Sequence, residues 1–388
     1  MIWEELDRRL ADLDRQHLRR QRKEVDSPAG PAIMVGGRSL LSFCSNDYLG
    51  LAQHPEIVEA LVAGARRWGA GSAASALAGG HLRPHEELEQ ALARFVGMPR
   101  ALTFATGYLA NLAVTPALVG RGDAVFADRL NHASLIDAAQ ASRAEHRRYP
   151  HNDMAALESL LAGSSARRKL ILTDAVFSMD GDLAPLDVLF ALAERYDAWL
   201  VVDDAHGFGV LGEDGRGSLS HFGLPASPRI VLMGTLGKAA GVAGAFVAGD
   251  GRMIEWMINS ARPYIFTTAP APALACALLK SLELIEAGSA RRAHLHHLVA
   301  RLRGSLAPLA AGRGWRLADS STAIQPLVVG ENRTVLELAA ALEADGLRVP
   351  AIRPPTVPRD TARLRISLSA AHNEADVDAL VASLSRAR

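Results

Sequence analysis

LDVLFALAERYDAWLVVDDAHG, residues 186–207, is the stretch on which the fold turns. Its first half, Leu186 to Tyr196, carries helix formers at helical spacing, and its second, Trp199 to Asp203, is an apolar run closed by an acid. A short apolar run without alternation predicts a strand buried on both faces, and a helix leading directly into it is half of a parallel crossover unit. The unit repeats outward in both directions. Apolar runs fall at Ala101 to Phe104, Ala124 to Ala127, Lys169 to Phe177, Ile230 to Thr235 and Gly244 to Ala248, with helical segments at Ala110 to Val119, Leu135 to Ser142 and Met154 to Leu161. Strand alternating with helix predicts an α/β fold whose mainly parallel sheet is covered on both sides.

The flanks read differently. Trp3 to about Lys23 predicts an amphipathic helix, with Leu6, Leu10 and Leu13 near helical spacing and a basic cluster from Arg19 to Lys23 at its end. Beyond Ser281 the pattern predicts a long helix containing the basic stretch Arg291 to His297. Short strands around Ala323 to Val329 and Arg363 to Leu368 follow, then a closing helix from Glu374, which together read as a smaller α+β domain. The expected organisation is an N-terminal helix and arm over 1–45, a large domain over 46–282 and a small C-terminal domain over 283–388.

Composition limits the function. Of 388 residues 49% are hydrophobic and 22% charged, which allows a sizeable core and excludes disorder. Lys plus Arg and Asp plus Glu each number 42, so no net positive field recruits nucleic acid or anionic lipid. Cys44 and Cys276 stand far apart, excluding a cysteine-built zinc site and fitting a reducing compartment. The amino terminus lacks the apolar core of a secretory signal, and no stretch approaches the roughly 20 apolar residues of a membrane span, so a cytoplasmic enzyme is expected.

In a parallel sheet the chemistry lies beyond the carboxyl ends of the strands. The residues that follow the runs are Thr106-Gly107-Tyr108, Asn131-His132, Ser178, Asp203-Asp204-Ala205-His206 and Thr235-Leu236-Gly237-Lys238. Alone, Lys238 in the turn GTLGKAAG reads as a surface lysine and Asp203 as a cap or turn former. Together, a strand-end lysine and a buried strand-end carboxylate match the needs of pyridoxal 5'-phosphate, whose aldehyde condenses with a lysine and whose ring nitrogen pairs with an acid. Gly107 and Tyr108 open a helix that can receive a phosphate on its first N–H groups. His132 is placed to lie against a ring face, and His206 and Ser178 to bond its phenolic oxygen, although each taken singly also reads as a capping or core residue. Asp203, Asp204 and His206 lack a third ligand cluster, so no metal is expected.

Several long motifs in order resemble the α-oxoamine synthases, pyridoxal-phosphate enzymes of the aspartate aminotransferase-like fold type I. They are SNDYLGL (Ser45 to Leu51), DRLNHASLIDA (Asp128 to Ala138), FSMDGDLAPL (Phe177 to Leu186), VVDDAHGFGVLGEDGRG (Val201 to Gly217) and TLGKAAG (Thr235 to Gly241). The resemblance implies that Lys238 is the Schiff-base lysine and Asp203 the ring-nitrogen partner. It implies that His132 stacks on the ring, Ser178 and His206 lie near the phenolic oxygen, and Gly107, Tyr108 and Thr235 hold the phosphate. It further implies that Arg365 takes the amino-acid carboxylate, that Arg353 and Thr356 line the substrate entrance, and that Arg19 contacts substrate. Within the family, STAIQPLVVG (Ser321 to Gly330), AIRPPTVP (Ala351 to Pro358) and ARLRISLSAAH (Ala362 to His372) resemble members that join L-alanine to a pimeloyl thioester with loss of carbon dioxide. The donor would be pimeloyl-CoA or pimeloyl-acyl carrier protein, and the assembly a homodimer. Glycine C-acetyltransferase and 5-aminolevulinate synthase chemistry are the alternatives within the family, and a simple aminotransferase or a non-catalytic scaffold of the same fold the alternatives outside it. One departure is GAGSAASALAGGHLRPHEELE (Gly69 to Glu89), where Ala74 and Ala76 stand at positions the family keeps smaller or polar, which bears on the acyl entrance.

Overall fold

The computed structural model describes residues 1–387. The described residues form two compact units, one of residues 49–178 and 183–292, the other of 1–48, 179–182 and 293–387.

The larger unit is built on a seven-stranded sheet. Its strands are β1 (Arg100–Phe104), β2 (Ala124–Asp128), β3 (Glu145–Tyr149), β4 (Lys169–Asp174), β5 (Ala198–Asp203), β6 (Ile230–Thr235) and β7 (Ala245–Gly249), in the spatial order β1-β7-β6-β5-β4-β2-β3. Only β7 runs against the others. Val125, Leu172, Val201, Val231 and Val247 join one core with Ala113, Val114 and Leu118 of the helix Gly107–Leu118 and Leu135 of the helix Ala133–Ser142. The alternate residues Phe126, Ile171, Leu200, Leu232 and Phe246 are also buried, so both faces are covered and each run reads as continuously apolar.

Two expectations differ here. The run Lys169 to Phe177 stops as a strand at Asp174: the Ala175 N–H makes the last bond to β5, at the Asp203 carbonyl, and Val176 pairs with Leu183 instead. Strand β3, EHRRY, escapes the sequence reading because it is an edge strand with charged side chains on its open face, the usual protection of an exposed edge.

The smaller unit carries a four-stranded antiparallel sheet of Arg316–Leu317, Ile324–Gly330, Ala362–Ser367 and Ala351–Ile352, with helices Ser289–Gly312, Asn332–Ala344 and Glu374–Arg386. A hairpin of Ala32–Val35 and Arg38–Ser42 adds Leu347–Arg348 as a third strand. Its two-residue loop, Gly36-Gly37, has φ of 56° and 74°, the left-handed pair a tight hairpin turn requires. The N-terminal helix is shorter than its periodicity predicts, ending at Arg15 where His17 adopts a φ of 55°. The basic run that follows is extended chain, drawn off the helix by tertiary partners: Lys23 Nζ lies 2.5 Å from Glu343 Oε1 and Arg20 Nη2 3.2 Å from Thr356 Oγ1.

Candidate active site

The carboxyl ends of β4 and β5 set Asp174 beside Asp203 in parallel register. From Leu200 on every side chain of β5 is buried, so the strand's end is the first place a carboxylate can meet a site. Asp203 is 4% exposed, and both its oxygens accept N–H bonds: Oδ2 from Asn111 Nδ2 at 2.8 Å and Oδ1 from the Ala205 N–H at 3.0 Å. Three residues on, His206 lies with Nε2 2.9 Å from Lys238 Nζ. Lys238 is carried by the turn after β6, which is closed by Leu236 N–H to the Gly244 carbonyl at 2.8 Å and Gly241 N–H to the Lys238 carbonyl at 2.9 Å. Gly241 has a φ of 69°, and a Cβ there would fall 2.6 Å from the backbone of Leu51 and Ala52.

His132 caps the helix Ala133–Ser142: its Nδ1 accepts the Ser134 N–H at 3.2 Å, and its own N–H donates to Asp174 Oδ2 at 2.7 Å. His132 is exposed, while its Nδ1 meets the buried Ser134 hydroxyl at 2.7 Å. Desolvation by burial holds the ring's pKa below the ordinary histidine value; Asp203 opposes this and Lys238 adds to it. Burial, reinforced by the Asp203 charge, pushes Asp174 well above the carboxylate range. Strand register sets Asp174 beside Asp203, and hydrogen bonds tie His132 to Asp174 directly and to Asp203 through Ser134 and Asn111. Asp204, facing inward, is pushed up to about 7 by burial despite hydrogen bonds from Ser218.

The helix Gly107–Leu118 opens beside the end of β6. Thr106 caps it by accepting the Leu109 N–H at 3.2 Å, and the first-turn N–H groups of Gly107 and Tyr108 have no acceptor within the helix. A Cβ on Gly107 would lie 3.8 Å from Thr235 Oγ1, so the two expected phosphate contacts adjoin. The Tyr108 hydroxyl turns away to Asp137. Ser178 is half-buried, beyond the end of β4.

The remaining expected residues belong to the smaller unit. Arg365, 5% exposed, donates from Nη1 to Ser367 Oγ at 2.8 Å and Asn46 Oδ1 at 3.2 Å, whereas Arg363 is taken by Asp180 at 2.6 Å. Arg19 and Arg353 line one cavity of about 560 Å³ together with Lys23 and Arg348. Within it Arg19 pairs with Asp14 at 2.7 Å, and Arg353 donates to the His17 carbonyl while its Nε is buried without a partner. Thr356 is exposed and bonded by Arg20.

Three residues of the larger unit's site escaped the sequence reading. Asp174 carries the same strand-end signal as Asp203, hidden by extending its run to Phe177. Asn111 and Ser134 are single polar residues on otherwise apolar helix faces, and only their convergence reveals them.

These groups fit pyridoxal phosphate. A half-buried amine suits its aldehyde, a buried carboxylate its ring nitrogen, an exposed imidazole its flat face, and an open helix N-terminus its phosphate. Comparison with known proteins agrees. A profile of the aminotransferase class I and II family matches residues 38–384. The chain is 62% identical to "8-amino-7-oxononanoate synthase" of Herminiimonas arsenicoxydans over the whole of both chains, and 62% identical to that of Dechloromonas aromatica (strain RCB) over 99% of each. Among solved structures, a serine palmitoyltransferase from S. paucimobilis with bound PLP and myriocin superposes with a TM-score of 0.92 at 28% identity, covering 99% of this chain and 97% of that one. The 8-amino-7-oxononanoate synthase of Francisella tularensis gives 0.78 at 30% identity, covering 89% and 97%. The chain belongs to the aminotransferase class I and II family and, within it, to the pyridoxal-phosphate-dependent α-oxoamine synthases.

Proposed function

We propose that the chain carries out the reaction of the 8-amino-7-oxononanoate synthases in biotin synthesis. L-alanine and a pimeloyl thioester, on coenzyme A or acyl carrier protein, give 8-amino-7-oxononanoate, carbon dioxide and the free thiol. The observation that carries this is identity of 62% across the full length of curated relatives with that name. Bound pyridoxal phosphate supplies an aldehyde that holds the amino group and a ring that accepts the electron pair left when the alanine Cα proton departs.

The chain's own residues do the rest. Lys238 holds the cofactor and, once its amine is released, takes the Cα proton, with His206 fixing Nζ at 2.9 Å. Asp203, bonded on both oxygens, is a fixed negative charge for a protonated ring nitrogen. Asp174 anchors the backbone of His132, whose exposed ring closes one face of the site. Gly107, Tyr108 and Thr235 receive the phosphate, and Ser178 and His206 the phenolic oxygen. Arg365 offers a guanidinium fork for the alanine carboxylate. The basic cavity with Arg19 and Arg353 receives the acyl donor near Thr356.

A homodimer belongs to this reading. The helix Ile2–Arg15 buries none of its side chains, leaving Trp3 75% exposed, and in the larger unit Phe266 is 69% exposed, apolar surface of the kind a second copy covers. A reducing, cytoplasmic setting is supported by two free cysteines, and among the described residues no helix is long and apolar enough to cross a membrane.

Incubation with L-alanine and either pimeloyl thioester, followed by thiol release and mass analysis of the product, tests the assignment. The expected product is 8-amino-7-oxononanoate. Thiol release only with glycine and acetyl-CoA would assign the chain to glycine C-acetyltransferase chemistry instead.

A further inference from the structure

Asp203, Asn111, Ser134 and His132 form one hydrogen-bonded line inside the larger unit. Asn111 Nδ2 lies 2.8 Å from Asp203 Oδ2 and 2.9 Å from Ser134 Oγ, and Ser134 Oγ lies 2.7 Å from His132 Nδ1. Asp203, Asn111 and Ser134 are buried, so water does not complete these groups and each proton has to be assigned within the line.

The groups whose roles are fixed, a carboxylate and a backbone N–H, decide the assignment. A carboxylate only accepts, so the amide nitrogen of Asn111 faces Asp203; the reverse orientation would set Asn111 Oδ1 against a carboxylate oxygen. Asn111 Oδ1 is left buried without a partner, a cost that the bond to Asp203 has to outweigh. The amide NH₂ donates its other proton to Ser134 Oγ, whose own hydroxyl proton is then available to His132 Nδ1. The Ser134 backbone N–H points at the same nitrogen from 3.2 Å. A backbone N–H can only donate, so Nδ1 is the acceptor, the Ser134 hydroxyl turns its proton to it as well, and no proton sits there.

We propose that Asn111 and Ser134 are positioning residues that lock His132 as a neutral imidazole protonated on Nε2. His132 is then barred from taking a proton at Nδ1, and its free edge is a hydrogen-bond donor toward whatever lies against the ring. Proton transfer at the substrate falls to Lys238 with His206. The lock begins at the carboxylate assigned to the cofactor ring, so the group that holds the ring nitrogen also sets, through two neutral side chains, the state of the ring stacked above. This rests on the proposed placement of pyridoxal phosphate against His132. The charged groups that act on His132 are Asp203, Lys238 and Asp137, and Asp174 takes its backbone N–H.

The test is nitrogen NMR of the full-length protein with ¹⁵N-labelled histidine rings, with and without pyridoxal phosphate, the His132 signals being identified by their loss in His132→Gln. The expected wild-type spectrum has a bare Nδ1 and a protonated Nε2 from about pH 6 to about pH 9. Ser134→Ala removes one donor and should raise the His132 titration midpoint by about one pH unit, while Ser134→Thr, which keeps the hydroxyl, should restore it. A proton on Nδ1 in the wild type, or an unmoved midpoint in Ser134→Ala, overturns the lock; if Ser134→Ala does not fold, the wild-type spectrum and Ser134→Thr decide. Should pyridoxal phosphate fail to attach at Lys238, the functional reading falls while the cofactor-free spectrum still judges the lock.

Discussion

Asp203 and Arg365 are both buried charged residues of strands, and neutral groups are among their partners: Asn111 and the Ala205 N–H for Asp203, Asn46 and Ser367 for Arg365. Arg363, on the same strand as Arg365, pairs with Asp180. Asp203→Asn keeps the shape of the carboxylate and loses its charge. The protein should fold with unchanged circular dichroism while the rate of condensation falls about 100-fold or more, the scale of losing a preorganised electrostatic group; a rate within a few-fold of wild type would remove Asp203 from the reaction. Arg365→Lys keeps the charge and loses the fork. The KM for alanine should rise at least about tenfold with cofactor affinity unchanged. If Arg353→Lys gives that effect and Arg365→Lys does not, the carboxylate partner is the other arginine.

The turns that carry the site make different demands on their glycines. Gly241→Ala would place a Cβ 2.6 Å from backbone and force a φ of 69° on an L-residue, so the Lys238 turn should lose more than about 1 kcal/mol, read as a lower melting temperature. At Gly107 the nearest atom to an added Cβ is Met233 Cε at 3.6 Å, an ordinary contact. Gly107→Ala should therefore melt near wild type yet bind pyridoxal phosphate more weakly, and a large loss of stability would show that the glycine serves packing alone. Elements of this kind were legible wherever one signal ruled. Strands β5 and β6 are apolar on both faces, and their closing Asp203 and Lys238 stand out in sequence. Strand β3 was hidden because an edge satisfies its backbone with little apolar surface, and the end of the N-terminal helix because a salt bridge to Glu343, 320 residues away, overrides helical periodicity. Asn111 and Ser134 could not be read at all, since their meaning is a mutual distance.

For the molecule as a whole, the buried acids set a pH dependence of stability. Asp204, ordinarily near 3.8, is pushed up to about 7 by burial, so the folded form retains a proton that the unfolded chain gives up. Stability from that proton is complete below about pH 4 and is lost as pH rises toward about 7, an effect of roughly 4 kcal/mol at most. Asp204→Asn, which cannot ionise, should flatten the fall in melting temperature over that window; an equal fall in both proteins would place the titration elsewhere. The chemistry depends on one lysine holding the cofactor. The chain has four, Lys23, Lys169, Lys238 and Lys280, of which Lys23 pairs with Glu343 and Lys280 with Glu283. Borohydride reduction of the protein loaded with pyridoxal phosphate, followed by digestion and peptide mass mapping, should place the pyridoxyl group on the peptide containing Lys238 and nowhere in Lys238→Ala. A pyridoxyl group found on Lys23, Lys169 or Lys280, with the Lys238 peptide unmodified, would contradict it.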